Sequence, residues 1–341
     1  MKAVIMAGGE GRRLKAVSGD TPKPMVQLLG RPMLEHILLL LKENGFDEVC
    51  MSLGYKAEEI KDYFGDGSGF GLRIEYRVED DPLGTAGGVR NCAAFFGDEP
   101  FLVISGDAAC DFDLRKLMAR HREENAAVTL ALCRSSSPLS YGLTVTDREG
   151  LVRCFIEKPD WPRVVSDLVN TGIYVISPRV MELVPEKRQY DFAKELFPLL
   201  LEKGEKLLGL VMDGYWCDVG SPLSYYRCCV DALEGRLKLS CGGEFAAAAP
   251  GEAADDPDSA PGSTECACRS RSALMGALSE ALWDMGADYS DGIHLKGRGY
   301  VLHIAPLVSR SALRISVDSP DAEFASRLAL SARELAESFD L

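Results

Sequence analysis

The chain has little positive charge to spare. Its 38 lysines and arginines face 52 aspartates and glutamates, a net charge of −14. That balance argues against DNA, RNA or an anionic lipid surface as the main partner. Long apolar runs are also missing, so the sequence predicts no membrane span, and its first residues do not read as a signal peptide. Histidine is scarce, at four. The 11 cysteines show no C-x-x-C spacing: 228 and 229 are vicinal, and 266 and 268 are one residue apart. A zinc site is therefore not expected, and reduced thiols in a cytoplasmic protein are. Two common nucleotide loops are absent as well. Leu14 stands where the third glycine of G-x-G-x-x-G would be, and no Walker A sequence occurs.

What is present concentrates at the start. Residues 2–7 form a short apolar run suited to a central parallel strand. Gly8, Gly9 and Gly11 follow, where the backbone can turn sharply and bring its N–H groups close to an anion. Then come Arg12, Arg13, Lys15 and Lys23. Residues 1–30 hold five cations against two carboxylates in an otherwise acidic chain, which points to a small polyanionic ligand. Pro22 and Pro24 flank Lys23 and restrict the backbone that aims it. Taken alone, a glycine turn beside solvated arginines would be an ordinary strand-to-helix connection.

Residues 1–238 alternate short apolar runs with helical patterns. The expected strands include 48–53, 72–77, 101–105 and 127–133, and the expected helices 33–42, 57–64, 85–96 and 114–124. Such alternation implies an α/β fold, a Rossmann-like, mostly parallel sheet flanked by helices. Ligands of such sheets sit beyond the carboxyl ends of the strands. The middle looks more antiparallel, with a hairpin signal at 147–150. Residues 192–202 read as one helix, 207–213 as a strand and 221–234 as a closing helix. Residues 239–272 are rich in Ala, Gly, Pro and Ser and read as a flexible linker. Residues 273–341 read as a small, separate α+β domain: a helix at 273–286, three strands within 291–317 and a last helix through Phe339.

Five pieces fall near strand ends in the first domain. They are the glycine loop with Lys23, the glycine-rich 82–88 segment, Gly106-Asp107, Glu157-Lys158-Pro159, and Asp218-Val219-Gly220. A lone Asp or Lys in a loop is usually just solvated. Two lysines, two aspartates and two glycine loops together fit a phosphate ligand with a hard divalent cation.

In this order the pieces resemble the sugar-1-phosphate nucleotidyltransferases, among them the mannose-1-phosphate guanylyltransferases. The pattern A-G-G-x-G-[ST]-R-L appears as Ala7 to Leu14, with Arg12 where Ser or Thr is usual. Pro22-Lys23-Pro24, Pro82-Leu83-Gly84-Thr85-Ala86-Gly87, Gly106-Asp107, Asn170-Thr171-Gly172 and Asp218-Val219-Gly220 also match. The resemblance implies a nucleotidyltransferase fold and the transfer of a nucleotidyl group, GMP from GTP, to mannose-1-phosphate. Glucose-1-phosphate with UTP or dTTP, a heptose-1-phosphate with GTP, and a non-catalytic nucleotide-sugar sensor stay open. It also implies roles. Arg13, Lys23 and Asp107 are catalytic, and Asp107 with Asp218 holds Mg²⁺. Ala7, Gly8, Gly9, Gly11, Arg12, Leu83, Gly84 and Thr85 bind the nucleotide. Gly142, Glu157, Lys158 and Asn170 hold the sugar phosphate. Residues 291–335 resemble the last domain of phosphomannomutases and phosphoglucomutases, with 305–311 in place of the phosphate loop found there. That implies a docking or homo-oligomerising module with no catalytic residue.

Overall fold

The computed structural model describes residues 1–14, 19–135, 141–156, 166–239, 263–267, 293–297, 300–306 and 312–339. Its first strands are β1 (Lys2–Ala7), β2 (Gln27–Leu28), β3 (Arg31–Pro32), β4 (Glu48–Leu53), β5 (Arg73–Val78), β6 (Phe101–Ser105) and β7 (Ala108–Cys110). They continue as β8 (Val128–Arg134), β9 (Leu143–Thr146), β10 (Val152–Ile156), β11 (Leu168–Ile176), β12 (Leu207–Val211) and β13 (Trp216–Asp218). The large sheet has the order β10-β9-β11-β6-β1-β4-β5, with β8 on β11 and β12 on β8. Strands β6, β1, β4 and β5 run parallel. Strand β11 joins them antiparallel, so the sheet is mixed, as the two sequence patterns imply.

The reason for the parallel half lies in β1. Ala3, Val4 and Ile5 are all fully buried, as expected of a strand covered on both faces. Ala3 and Ile5 face one core with Leu34, Ile37 and Leu117. Val4 faces the other with Val89, Phe192 and Phe197. Helices Met33–Glu43, Ala57–Phe64 and Leu114–Glu124 cover the first side, and Gly84–Asn91 and Phe197–Glu202 the second.

Two expected helices divide. The 85–96 pattern breaks at Cys92 into Gly84–Asn91 and Ala93–Phe96. Lys2 Nζ caps the second piece by donating to Phe95 O at 2.6 Å. The 192–202 pattern opens with a wider turn over Phe192–Leu196, in which Leu196 N reaches Asp191 O at 3.1 Å. Pro198 has no N–H for the carbonyl four residues back, which leaves that turn free to widen.

The tail differs more from expectation. Strands β14 (Ser263–Ala267), β15 (Ile293–Gly297), β16 (Tyr300–Pro306) and β17 (Ala312–Asp318) form an antiparallel sheet of order β14-β17-β16-β15. Strand β14 lies inside the stretch read as a linker, pairing Ser263 with Ser316 through Ala267 with Ala312. Averaged composition hid five residues that β17 accepts along its free edge. The helix expected at 273–286 falls outside the described residues. Nor does the tail stand apart. Helix Ala322–Phe339 packs its Ala325, Leu328, Ala329 and Ala332 with Tyr226 and Val230 of helix Pro222–Leu233, in one core that includes Leu302, Ile304 and Ile315. Among the described residues no helix is long and apolar enough to cross a membrane.

Candidate active site

The site grows from the carboxyl end of β1. Two backbones nearly touch there: a Cβ on Gly54 would fall 2.7 Å from Gly8 O. Gly11 has φ +67°, and a Cβ on it would lie 2.6 Å from Lys23 Cβ. Both the left-handed backbone and the lysine stem therefore demand glycine at position 11. Leu14, fully buried, anchors the turn, with its N–H bonded to Gly11 O at 2.9 Å. Gly9 faces open space.

Lys23 is the hub. Its Nζ stands 2.5 Å from Asp107 Oδ2 and 3.5 Å from Asp218 Oδ1. Ser105 Oγ donates to the other Asp107 oxygen at 2.5 Å. Arg13 closes the group, its guanidinium 3.4 Å from where a Cβ on Gly220 would sit. Burial, and next the Asp107 charge, push the Asp218 carboxyl up, while Lys23 and Arg13 pull it down.

Residues this far apart in sequence meet because of a ladder the sequence reading did not foresee. Strands β7 and β13 pair antiparallel, with Ala108 opposite Asp218. Val219 N then donates to Asp107 O at 3.3 Å. Each strand is three residues long, too short for a period-two signal. Gly106 makes the approach possible: a Cβ there would lie 3.0 Å from both Ala7 Cβ and Met6 O.

Asp107 and Asp218 are hard oxygen donors crowded around one ammonium, with 29% and 34% of their side chains exposed. A divalent cation would relieve the pressure on Asp218. Among the described residues no group of three or more His, Cys, Asp or Glu could hold a metal. Two carboxylates completed by ligand oxygens and water is how Mg²⁺ is commonly bound, so the pair fits that ion.

The second glycine loop is tied to the first by Glu79, a residue the sequence reading missed. Its Oε1 accepts from Ser52 Oγ at 2.7 Å and its Oε2 from Leu83 N at 2.9 Å. Cβ atoms on Gly8 and Gly88 would lie 3.3 and 2.5 Å from Oε1. A carboxylate just after a strand, between two glycine loops, was the available signal. Gly84, at φ +72°, packs on the Tyr190 carbonyl, 2.7 Å from where its Cβ would be. Thr85 was expected against a base, but its hydroxyl is engaged within the protein. It donates to Asp191 Oδ2 and accepts from Phe192 N, both at 3.0 Å.

On the third side, Asn170 N donates to Gly142 O at 2.9 Å, so these two expected sugar-side residues do meet. Asn170 Oδ1 accepts from Gly172 N at 3.1 Å, stabilising a bulge in β11. Gly172, at φ +76°, would place a Cβ 3.4 Å from Ser105 Cβ, which brings the bulge beside the Asp107 strand. Trp216 Nε1 donates to Thr171 O at 3.1 Å and holds β13 against it. Glu157, Lys158 and the Arg12 side chain lie outside the described residues.

Known proteins resemble this chain in sequence and in fold. A mannose-1-phosphate guanylyltransferase of Mycobacterium tuberculosis is 38% identical over 234 residues, 68% of this chain and 65% of its own length. A UTP–glucose-1-phosphate uridylyltransferase of Synechocystis is 36% identical over 251 residues, 70% of this chain and 65% of that protein. The chain thus spans just under two thirds of these relatives. Among solved structures, HddC from Yersinia pseudotuberculosis covers 68% of this chain and 99% of its own, with 29% identity and a TM-score of 0.60. A putative glucose-1-phosphate thymidylyltransferase from Bacillus anthracis covers 72% of this chain and 98% of its own, with 25% identity and a TM-score of 0.64. The family profile described as nucleotidyl transferase matches residues 2–235, and the chain belongs to that family.

Proposed function

We propose that this protein transfers GMP from GTP to mannose-1-phosphate, giving GDP-mannose and pyrophosphate. The observation that carries the reading is the cluster of Lys23 and Arg13 with Asp107 and Asp218 beyond the parallel strands. A sugar-phosphate oxygen attacks the α-phosphorus. The bond from that phosphorus to the bridging oxygen breaks, and pyrophosphate leaves with the electron pair. The nucleophile is already an anion, so no general base is required. The protein's work is alignment and charge compensation.

In this scheme Lys23 and Arg13 hold the triphosphate, and the charge that builds on the leaving pyrophosphate moves toward them. Mg²⁺, held by Asp107 and Asp218, supplies further positive charge at the phosphate oxygens when bound. Gly8, Gly9 and Gly11 bring backbone close to the phosphates, and the backbone of Leu83 and Gly84 borders the base. Asn170 and Gly142 face the sugar, with Lys158 and Glu157 assigned to the sugar phosphate by resemblance.

Support for guanine and mannose comes from the Mycobacterium relative, and for guanine alone from HddC, whose structure with GMP-PN has a TM-score of 0.59 to this fold. The Synechocystis relative, at similar identity, points to UTP and glucose. The test is pyrophosphate release with Mg²⁺ across a panel of NTPs and sugar-1-phosphates. Turnover is expected to be highest with GTP and mannose-1-phosphate. A preference for UTP or dTTP would overturn the guanylyl assignment. Tight binding without release for any pair would replace the enzyme by a nucleotide-sugar sensor.

A further inference from the structure

One phenol links the C-terminal module to the segment that carries Lys23. Tyr225 lies in the first turn of helix Pro222–Leu233, just after the Ser221 cap and close behind Asp218. Its hydroxyl donates to Gln27 O at 2.8 Å and stands 3.3 Å from Glu334 Oε2 of helix Ala322–Phe339. Gln27 is four residues beyond Lys23, and the turns between them are tight: Met25 N bonds Pro22 O at 2.8 Å and Val26 N bonds Lys23 O at 3.2 Å.

The Gln27 carbonyl needs an outside donor. The ladder bond between these strands runs from Met33 N to Val26 O at 2.9 Å, with Gln27 opposite Pro32. In an antiparallel ladder this makes Gln27 a non-hydrogen-bonded position, its own C=O turned away from the partner strand. Tyr225 satisfies it. Val26, Leu28 and Tyr225 are 5%, 1% and 7% exposed and share one apolar cluster, so the segment has little slack. On its other side Lys23 Cβ presses against Gly11.

We infer that Tyr225 is a positioning residue for Lys23, and that the C-terminal module tunes that position through Glu334. A phenol has one proton, and two acceptors compete for it. Whatever strengthens the contact to Glu334 weakens the bond to Gln27 and loosens the lysine segment. The same helix follows Asp218, so it braces both the lysine side and the carboxylate side of the site. The inference rests on the proposed nucleotidyl transfer only where it predicts rates.

The test uses the full chain with Tyr225→Phe, Glu334→Ala and the double variant. Two readouts are taken: amide hydrogen exchange, and steady-state pyrophosphate release with the best substrate pair. Tyr225→Phe keeps the ring and its packing. It is expected to speed exchange in peptides covering 23–33 about tenfold, leave peptides from β4 unchanged, and lower kcat about tenfold with KM within about twofold. Glu334→Ala is expected to raise kcat about two- to threefold, and this effect should vanish in the Tyr225→Phe background. Unchanged exchange at 23–33 in Tyr225→Phe overturns the inference whatever the activity. Faster exchange with unchanged kcat in an active enzyme overturns it too, as do additive effects in the double variant. Faster exchange in a protein inactive with every substrate pair upholds the brace and overturns the proposed function instead.

Discussion

The parallel half of the large sheet and the antiparallel C-terminal sheet bury the same kinds of residue but end differently. In the first, β1, β4 and β6 finish at Gly8, Gly54 and Gly106, and a Cβ on Gly54 or Gly106 would crowd the neighbouring backbone at 2.7 or 3.0 Å. Lys23, Arg13, Asp107 and Asp218 gather beside these ends. In the second, Leu302, Ile304, Leu313, Ile315 and Val317 are all buried in the core shared with helix Ala322–Phe339. One sheet presents strand ends to a ligand, and the other presents a face to a helix. Chemistry follows the close approach of backbones, not the presence of a sheet.

The hardest test of that contrast is Asp107→Ala. It removes the carboxylate proposed to hold Mg²⁺, which is also the nearer of the two partners of Lys23, and kcat for pyrophosphate release is expected to fall on the order of 10²–10³-fold. Unchanged turnover in Mg²⁺ would remove the carboxylate pair from the chemistry. Next is Leu328→Ala, a fully buried side chain in the shared core of the tail. It is expected to cost about 2–5 kcal/mol in urea unfolding. If the tail unfolds in a separate early transition with Tyr226 fluorescence unchanged, the two parts do not share a cooperative core.

The smallest expected effect concerns a buried polar group far from the site. His121 is 1% exposed on helix Leu114–Glu124. Its Nε2 lies 3.1 Å from Ser177 Oγ, whose own proton goes to Ala126 O, so Nε2 donates. Its Nδ1 lies 3.0 Å from Thr129 Oγ1 and accepts, which fits a neutral ring. Burial, then Arg122 and Arg179, hold its pKa down at about 4. The unfolded chain binds the extra proton first as pH falls. The contribution is therefore complete above about pH 6.5 and shrinks toward pH 4, by roughly 2 kcal/mol at pH 5. Urea unfolding at pH 7.5 and 5.0 should show this difference, reduced in His121→Gln. A pH dependence identical in the two proteins would place the acid sensitivity elsewhere.

The same contrast explains what was readable beforehand. Strands 48–53 and 101–105 and helices 57–64 and 114–124 could be read to the residue, because local periodicity and turn residues define them. Gly11, Lys23, Asp107 and Asp218 stood out through their motifs, and the structure brings these four together. Glu79 was not, since a carboxylate after a strand is usually solvated, and only Ser52, Leu83 and the two glycines around it give it a task. Strand β14 was hidden by its neighbours' composition, and nothing in the sequence announces that the Thr85 hydroxyl bonds to Asp191 and Phe192.

By itself, the sequence determined the alternation of strands and helices, the glycine-rich turn that follows the first strand, and the residue types that can meet a phosphate. Those are local matters of torsion, period and charge. Tertiary structure decided that Ala108 pairs opposite Asp218, that Lys23 lies between two carboxylates, and that Tyr225 reaches both Gln27 and Glu334. Each of these joins segments far apart in the chain. A three-residue ladder or a single buried phenol leaves no periodic trace, because its partner is set by packing and not by neighbours in sequence.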